Sequence, residues 1–389
     1  MRKNIIILLS ALFIFNFSYT QIDRSIQPQS GPDPEIKFGT PKMFKLKNGI
    51  QVLVVEDNKL PAVTYSLTID RNPILDGNKV GVSSILSAML GNGTTSTPKD
   101  KFNEEVEFLG ASVSVTFSGG SANTLTKNND RVLELWSDAI INPLLLKEEF
   151  DKEKTKLSES LKADVNNIDA IADRVSSALS YGKDHPYGEF LSEKTLSNVT
   201  FEDVIDYHSR YYIPNNAYLV VVGDVNTKEI KTVLKEKFGS WKKGKMPVNP
   251  EPNYTENVML TEVDFIDVPS ATQSTIIVTN NTTLKSSDED YFAALLANQI
   301  LGGGGEGYLF KNLRDDNAWT YGSYSRIGSS RYGVSRFAAE AKVRNMVTDS
   351  AVTEIVKEIQ RIRTETVDPQ RLKDVCLLYT SPSPRDATL

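Results

Sequence analysis

The sequence predicts an α+β protein of two structurally repeated halves, in which each half is a mixed, mostly antiparallel sheet with helices packed on one face. Strands of alternating polarity stand beside longer amphipathic helices along the chain. The same order of elements recurs with a period of about 210 residues, and the second series is shorter, so the second half is expected to be truncated. The 389 residues, 40% of them hydrophobic, suffice for two domains.

The first segment, residues 1–20, has the pattern of a secretory signal peptide. Arg2 and Lys3 precede an apolar run over residues 5–17, and small or polar residues follow it. A membrane anchor, which is the alternative, needs roughly 20 apolar residues. We therefore expect an exported product, periplasmic or envelope-associated, with no stable membrane insertion after removal of the signal. Residues 21–40, rich in proline, glutamine and serine, are expected to be a flexible leader.

A first domain is predicted over residues 41–245. It opens with a hairpin around the turn Asn48-Gly49, which is the strongest short signal for two paired strands. The next predicted elements are a strand AVTYSLTID, a short helix with a glycine-rich stop within 81–94, and a helix capped by Thr97 with Pro98 at its first position. Two strands joined by Gly119-Gly120, an amphipathic helix over 131–142 and a long charged helix over 147–163 follow. A helix-rich segment then runs to Tyr212, and a continuous apolar strand NAYLVVVGDV closes the domain.

A proline-containing linker, residues 246–256, separates this domain from a second one over residues 257–375. The second domain repeats the order of strand, helix, two strands and two helices. Nothing after Val375 corresponds to the closing segment of the first domain. The last residues, 376–389, have no helical or strand period, and we interpret them as a tail that does not match the rest and is of non-native origin. A natural disordered tail is the alternative.

Composition excludes several classes of function. The net charge of −6 and the pI of about 5.3 give no electrostatic reason to bind nucleic acid. The single cysteine, Cys376, cannot form a disulfide within the chain, and it rules out a structural zinc site of four cysteines or of two cysteines and two histidines. No G-x-S-x-G motif occurs, so an active serine hydrolase is only a third hypothesis.

Several motifs occur in an order that is typical of one family. They are FKLKNGIQVLVVED, GVSSILSAMLGNGT, PLLLKEEFDKEK, HPYG and YYIPNNAYLVVVGDV. Over residues 41–375 the chain therefore resembles the pitrilysin/insulinase zinc metallopeptidases, including the mitochondrial processing peptidase type. The resemblance is specific because several motifs agree in their order.

The resemblance places the family's zinc site on residues that cannot form it. Members of the family carry an inverted motif, H-x-x-E-H. Its two histidines bind the metal from one helix face, and its glutamate activates water. In this chain Ser84, Ser87 and Ala88 stand at those positions. The remaining ligand, a glutamate on the later helix, falls on Ser160, or on Glu159 if the register shifts by one residue. Either register leaves too few ligands, so we expect no catalytic residue and no bound metal in this chain.

Two histidines, His185 and His208, make up the histidine content of the sequence. Neither has a partner histidine at helical spacing, and in the family neither position binds metal. We interpret His185 as a turn histidine and His208 as a surface helix histidine.

Two segments of the second domain point to substrate binding. The run LGGGGEGYLF, residues 301–310, lacks the features of a phosphate-binding loop and is interpreted as a helix end, to which the resemblance adds a role in peptide entry. The segment LFKNLRDDNAWTYGSYS resembles the family's second-domain signature and implies that Arg314 and Tyr321 bind the substrate and stabilise an oxyanion. The alternative is a surface ion pair of Arg314 with Asp315 or Asp316, and a core position for Tyr321.

These features predict a non-catalytic, substrate-binding subunit of an exported heterodimeric zinc endopeptidase, resembling the processing peptidases. A sister subunit that bears H-x-x-E-H would hold the zinc, and this chain would hold no cofactor. Unfolded peptide would add as an extra strand to the edge formed by ASVSVTF. A stand-alone peptide-binding or scaffold pseudo-peptidase is the alternative from a different class.

Overall fold

The computed structural model of the protein describes residues 40–247, 252–269 and 271–380. The signal peptide, the leader before residue 40 and the end of the tail, residues 381–389, lie outside the described residues and stay predictions. Within the described ranges, no helix combines the length and the apolar character that a bilayer crossing requires.

The first sheet has six strands, which are β1 Lys42–Lys45, β2 Gln51–Glu56, β3 Ala62–Ile69, β4 Ser112–Thr116, β5 Gly119–Leu125 and β6 Ala217–Gly223. Their spatial order is β1-β2-β6-β3-β5-β4. β2 and β6 run parallel, and every other neighbouring pair is antiparallel. The predicted mixed, mostly antiparallel sheet is confirmed. The apolar strand β6 lies inside the sheet, and β4 forms one edge.

Helices cover one face of this sheet. Along β3 every second side chain, from Val63 to Ile69, is buried, and most of the alternate ones are exposed. Trp136 is fully buried and lies with its ring centroid 5.8 Å from that of Tyr65. The helices of this part are α1 Val82–Met89, α2 Lys99–Phe108, α3 Asn129–Ile141, α4 Lys147–Ala163, α5 Ile168–Tyr181, α6 Glu193–Asn198, α7 Phe201–Tyr211 and α8 Thr227–Phe238.

The start of α2 differs from the prediction. Thr94 Oγ1 accepts the backbone N–H of Thr97 at 2.9 Å and that of Ser96 at 3.2 Å, which closes a turn just before the helix. Pro98 occupies the N-cap position, with no side-chain capping bond. The prediction of Thr97 as the N-cap is wrong. The hydroxyl that accepts backbone N–H groups before this helix is that of Thr94, and the N–H of Thr97 is one of its donors.

A second, smaller sheet has three antiparallel strands, which are β7 Gln273–Thr282, β8 Ser323–Ile327 and β9 Ser335–Arg344 in the order β7-β9-β8. Its helices are α9 Tyr291–Gly302, α10 Thr348–Thr364 and α11 Pro369–Thr380. It has a hydrophobic core of its own, formed by Ile276, Leu301, Leu309, Leu313, Ala339, Ala341, Val343, Ala351 and Ile355. The elements follow the predicted order, and the internal duplication itself stays a prediction.

The predicted tail needs a correction at its beginning. α11 extends to Thr380, so residues 376–380 are helical although we expected no regular structure from residue 376 onward. These residues continue the helix because Cys376, Leu377 and Leu378 are compatible with it, and the first prolines come only at positions 382 and 384.

Polar contacts join the two sheets. Lys342 on β9 pairs with Asp169 on α5 at 2.6 Å. Asp70, which follows β3, pairs with Arg331 at 3.1 Å and accepts a hydrogen bond from the Tyr332 hydroxyl. Acidic groups of the first part thus face basic groups of the second. Such exposed pairs contribute at most about 1 kcal/mol each, so they orient the contact more than they stabilise it.

Gly81 is the N-cap residue of α1, the helix that carries Ser84, Ser87 and Ala88, and we expect it to tolerate no side chain. Its φ of +116° is outside the range of L residues, and an added Cβ would lie 2.7 Å from Leu191 Cδ1. Gly81→Ala should therefore lower the free energy of unfolding by about 2–3 kcal/mol, as measured by denaturant titration.

Gly77→Ala is the matched control for this substitution. Gly77 also has a positive φ, +59°, but an added Cβ there meets no atom within 4 Å. The control should lose only about 1 kcal/mol, from backbone strain alone. Equal losses in the two variants would contradict the backbone conformation of Gly81, whose φ of +116° lies farther from the range of L residues than the +59° of Gly77.

Candidate functional site

Helix α1 carries the three positions at which the resemblance predicts the zinc motif. Ser84 and Ala88 are exposed, and Ser87 is half-buried beside them. The opposite side of the helix is buried through Val82, Ile85, Leu86 and Met89. The three positions therefore share one accessible side of the helix, as the spacing predicts.

The fourth position lies on a helix that packs against α1. Ser160 is on α4, and both Ser160 and the alternative Glu159 are exposed. α1 and α4 are in contact, so the structure brings together the two helices that carry the predicted positions. In the described ranges no three histidine, cysteine, aspartate or glutamate residues are grouped so that they could hold a metal ion. The side chains present, hydroxyls and a methyl group, do not fit a zinc ion.

Ser87 binds the protein's own backbone. Its Oγ accepts a hydrogen bond from the N–H of Phe117 at 3.2 Å, just beyond the edge strand β4. Gly91, two residues after α1, lies against the backbone of Val115, since an added Cβ would stand 3.3 Å from the Val115 nitrogen. Alternate residues of β4 therefore direct their N–H groups away from β5, toward the side where α1 ends.

A polar cluster that sequence reasoning missed lies beside these residues. It comprises Arg71 after β3, Asp76 before α1 and Tyr207 on α7. The Arg71 guanidinium stacks on the Phe117 ring, 3.7 Å from its centroid, and donates from Nη1 to the Phe117 carbonyl at 3.3 Å. Asp76 accepts a hydrogen bond from the Tyr207 hydroxyl at 2.7 Å. No local pattern signals contacts between residues so far apart along the chain.

Burial sets the charge properties of this cluster. It raises the pKa of the Asp76 carboxyl and also that of Glu189, which accepts the backbone N–H groups of Asp76 and Gly77 at 2.9 and 2.8 Å. Burial also lowers the pKa of Arg71, but a guanidinium remains protonated in proteins. The cluster thus holds a half-buried cation, and the carboxylates of Asp76 and Glu189 are engaged with other donors.

The two histidines contact residues other than the predicted zinc positions on α1. His185 is 2% exposed, sits in a turn as predicted, and accepts the Tyr187 backbone N–H on Nδ1 at 3.0 Å. His208 stacks on Tyr212 with ring centroids 5.2 Å apart, and its buried Nε2 has no hydrogen-bond partner. The prediction of a surface position for His208 is wrong, because its helix face packs on the core.

His208 should make stability depend on pH. Burial lowers its pKa from 6.5 to about 4. As the pH falls from 6.5 toward 4, the unfolded chain therefore binds a proton at His208 that the folded chain does not bind. The contribution of this residue to the free energy of unfolding is fully present above pH 6.5 and is lost over that range. The loss is about 1.4 kcal/mol per pH unit once the unfolded group is protonated. Denaturant titrations between pH 7 and 5 should show a smaller loss for His208→Leu than for the unsubstituted protein. Identical slopes would contradict the burial of a neutral imidazole.

Arg314 lies on an unusually wide helical turn. A one-turn helix, Tyr308–Phe310, continues as a π-helix over Lys311–Asp316. π-helical turns occur often at functional sites. The Asn312 amide fixes this turn by donating to Glu354 and Glu358 on α10, each at 2.7 Å.

The side chains of Arg314 and Tyr321 are both directed to solvent. Arg314 stacks on Phe310 at 4.6 Å and forms no ion pair with Asp315 or Asp316, so the surface ion pair is wrong. Tyr321 is 92% exposed, which excludes the core position considered for it. Both side chains are therefore available to a ligand. Their role in substrate binding stays a prediction.

The glycine-rich segment 301–310 ends a helix, as interpreted from the sequence. α9 finishes at Gly302, and the Gly303 N–H bonds to the carbonyls of Asn298 and Gln299 at 3.0 and 3.3 Å. The segment then turns into the one-turn helix that leads to Arg314. It thus connects the core of the second sheet to the exposed arginine.

The fold and the site together define a class: a peptidase-like α+β protein, in which a helix without metal ligands lies against the edge strand of a mixed sheet. A sequence model described as insulinase (peptidase family M16) matches residues 51–185. A second, described as peptidase M16 inactive domain, matches residues 198–376. The chain therefore belongs to the insulinase family, peptidase family M16.

The chain is similar to curated relatives in sequence and to a solved structure in fold. An uncharacterized zinc protease of Rickettsia felis is 27% identical over 333 residues, covering 82% of this chain and 79% of that protein. The zinc protease PqqE of Helicobacter pylori is 29% identical over 226 residues, covering 54% and 49%. The fold is similar to the crystal structure of a peptidase M16 inactive domain from Pseudomonas fluorescens, with a TM-score of 0.77, 20% identity and coverage of 90% and 85%.

Proposed function

We propose that this chain is the non-catalytic, substrate-binding subunit of an exported heterodimeric zinc endopeptidase that degrades or processes peptides. A sister subunit bearing H-x-x-E-H supplies the zinc site, and this chain supplies Arg314 and Tyr321 to the substrate held there. The product of export is periplasmic or envelope-associated, in line with the signal peptide expected over residues 1–20.

The observation that carries this proposal is the contrast between the two parts of the chain. On α1 the positions of Ser84, Ser87 and Ala88 offer no metal ligand, while Arg314 and Tyr321 stand exposed on a turn that Asn312 holds in place. An exposed guanidinium and an exposed phenol on a fixed turn are suited to bind a peptide carbonyl and the oxyanion formed from it.

Peptide binding is supported by the edge strand. β4 has β5 on one side only, and its alternate N–H groups point away from β5. An extended peptide can pair with such an edge through backbone hydrogen bonds, with little dependence on its sequence. This suits a subunit that receives unfolded peptides.

Replacement of metal ligands by small residues also fits a subunit that no longer binds zinc. Histidine and glutamate left without metal in a partly buried site cost about 1–3 kcal/mol for each unsatisfied group. Ser87 avoids this cost by accepting the Phe117 N–H, and exposed Ala88 has no polar group to satisfy.

Co-purification from the native host tests the proposal. Tagged protein should bring down a sister chain with an intact H-x-x-E-H motif, and the complex, not the tagged chain alone, should cleave peptides. Recovery without any such sister would contradict the proposal and favour a stand-alone peptide-binding or scaffold pseudo-peptidase. Labelling by a fluorophosphonate probe would instead indicate a serine hydrolase.

A further inference from the structure

Lysine side chains are concentrated at one edge of the first sheet, around strand β1 and helix α8. Those without an ion pair among the described residues form the basic edge, which comprises Lys45, Lys47, Lys228, Lys231, Lys235, Lys242, Lys243 and Lys245. All except the half-buried Lys231 are exposed. The whole chain has a net charge of −6, so the basic edge is a positively charged surface on a protein that is otherwise acidic.

Helix α8 has a row of lysines on the side next to strand β1. Lys228, Lys231 and Lys235 are three or four residues apart, so their side chains follow one flank of the helix. That flank is next to β1, because Lys231 Nζ lies 5.0 Å from the centroid of the Phe44 ring. Each glutamate of the helix directly follows one of these lysines and is rotated by about 100° from it, so the two signs of charge lie on different flanks.

The other lysines meet at the turn that follows β1. Asn48 of this turn donates from Nδ2 to the Trp241 carbonyl, at 3.3 Å, in the segment after α8. Lys47 and Lys242 are the chain neighbours of these two residues, so the hydrogen bond brings their backbones together. Lys45 lies two residues before Lys47 and is also exposed. Positive charge from two distant segments thus accumulates at one end of the edge.

The segment after α8 is fixed against the same turn. Asn215 donates from Nδ2 to the Gly244 carbonyl at 3.1 Å and accepts the Gly244 N–H at 3.0 Å. Gly49 of the turn packs directly on Asn215, since an added Cβ would lie 2.7 Å from the Asn215 Cα atom. Lys243 and Lys245 flank Gly244, so hydrogen-bonded backbone holds them beside the turn.

Lysine alone supplies the positive charge of the basic edge, and apolar side chains are exposed beside it. An ammonium is a hydrated point charge, which suits diffuse attraction to many phosphates more than paired recognition of one group. Met43, on the same face of β1 as Lys45, is 66% exposed, and Met246, directly after Lys245, is 46% exposed. Basic residues with exposed apolar neighbours fit the surface of an anionic bilayer, whose headgroups attract the charges and whose boundary accepts the apolar side chains.

We propose that the basic edge binds reversibly to the surface of a bilayer that contains anionic phospholipid. Binding involves the headgroups and the outer boundary of the bilayer, with no helix crossing it. This inference goes beyond the proposed function and does not depend on peptide binding. Nucleic acid, the other extended polyanion, fits less well. The aromatic residues of the two segments, Phe44, Phe238 and Trp241, are not exposed and so cannot stack on bases.

Co-sedimentation of the whole chain with vesicles tests this inference. One set of vesicles consists of phosphatidylcholine, and the other contains about one-third phosphatidylglycerol, which is anionic. The chain should bind the anionic vesicles at least about 100-fold more tightly at about 0.1 M NaCl, and about 0.5 M NaCl should remove most of this preference because exposed charges are screened. The measured quantity is the ratio between the two vesicle types, so binding through the apolar run over residues 5–17, which is common to both, cancels.

A triple variant of the basic edge should lose this preference. Lys242→Gln, Lys243→Gln and Lys245→Gln combined should lower the ratio by more than about tenfold, since each lysine adds to the attraction. All three side chains are exposed, so thermal melting of this variant should match that of the unsubstituted chain.

The matched control removes the same charge from another surface. It combines Lys147→Gln, Lys152→Gln and Lys156→Gln on α4, where each lysine pairs with a carboxylate of its own helix. The control should keep the ratio within about twofold. Equal losses in the two triple variants, or equal binding of both vesicle types by the unsubstituted chain, would overturn the inference. Tight binding of a DNA duplex that only the first triple variant loses, without a preference for anionic vesicles, would also overturn it.

Discussion

Arg314→Ala should lower kcat of the complex with the zinc-bearing sister subunit by about 10²–10³-fold, the usual effect of removing one donor to an oxyanion. KM should change little, because the contact strengthens as charge develops on the carbonyl oxygen. Arg314 is exposed, and among the described residues it has no carboxylate partner and stacks on Phe310 alone, so its removal should not disturb the fold. Steady-state kinetics of the purified complex measure it.

Two further variants provide comparisons for Arg314→Ala. Tyr321→Phe removes only a hydroxyl from a side chain that is 92% exposed, and should lower kcat by a smaller factor, about tenfold. Arg326→Ala, on β8 of the same sheet, removes an arginine of similar exposure and should leave kcat unchanged. A complex that forms normally and keeps its kcat after Arg314→Ala would exclude Arg314 from the reaction.

Val113→Pro should weaken peptide binding by more than about tenfold without unfolding the chain. Val113 directs its N–H to the free side of β4, as Phe117 does toward Ser87, so proline there removes a donor that only an added strand would use. The loss follows because a strand pairs with this edge at only a few backbone groups. Peptide anisotropy and thermal melting of the same preparation measure both effects.

Ser114→Pro is the control with the opposite outcome. Ser114 pairs with Ser121 on β5, so proline there disrupts the ladder within the sheet. It should lower the free energy of unfolding by about 1–3 kcal/mol, while Val113→Pro stays near the unsubstituted value. If Val113→Pro is well folded and binds peptide as tightly as before, the edge of β4 is not the binding surface.

Much of the architecture follows from local patterns in the sequence. The turn Asn48-Gly49 predicts the hairpin of β1 and β2, and the polar and apolar alternation of residues 62–69 predicts which face of β3 the helices cover. The continuous apolar run of β6 predicts an interior strand, and it pairs on both sides. These features depend on neighbours within a few residues.

The parts that sequence reasoning missed depend on distant contacts. Arg71 is placed by Phe117, and Asp76 by Tyr207, pairs that no period along the chain connects. The π-helical turn of Arg314 depends on Asn312 reaching Glu354 and Glu358 on α10. His208 looks like a surface residue because its helix is charged, yet its ring packs on Tyr212. In each case tertiary packing, and not the local sequence, determines where the side chain lies.

Ser84, Ser87, Ala88 and Ser160 offer no metal ligand, and metal analysis of the purified chain tests this directly. Inductively coupled plasma mass spectrometry after dialysis against zinc should give a zinc-to-protein ratio near zero, with no peptide hydrolysis by the isolated chain. A ratio near one, together with hydrolysis that a chelator abolishes, would contradict the account.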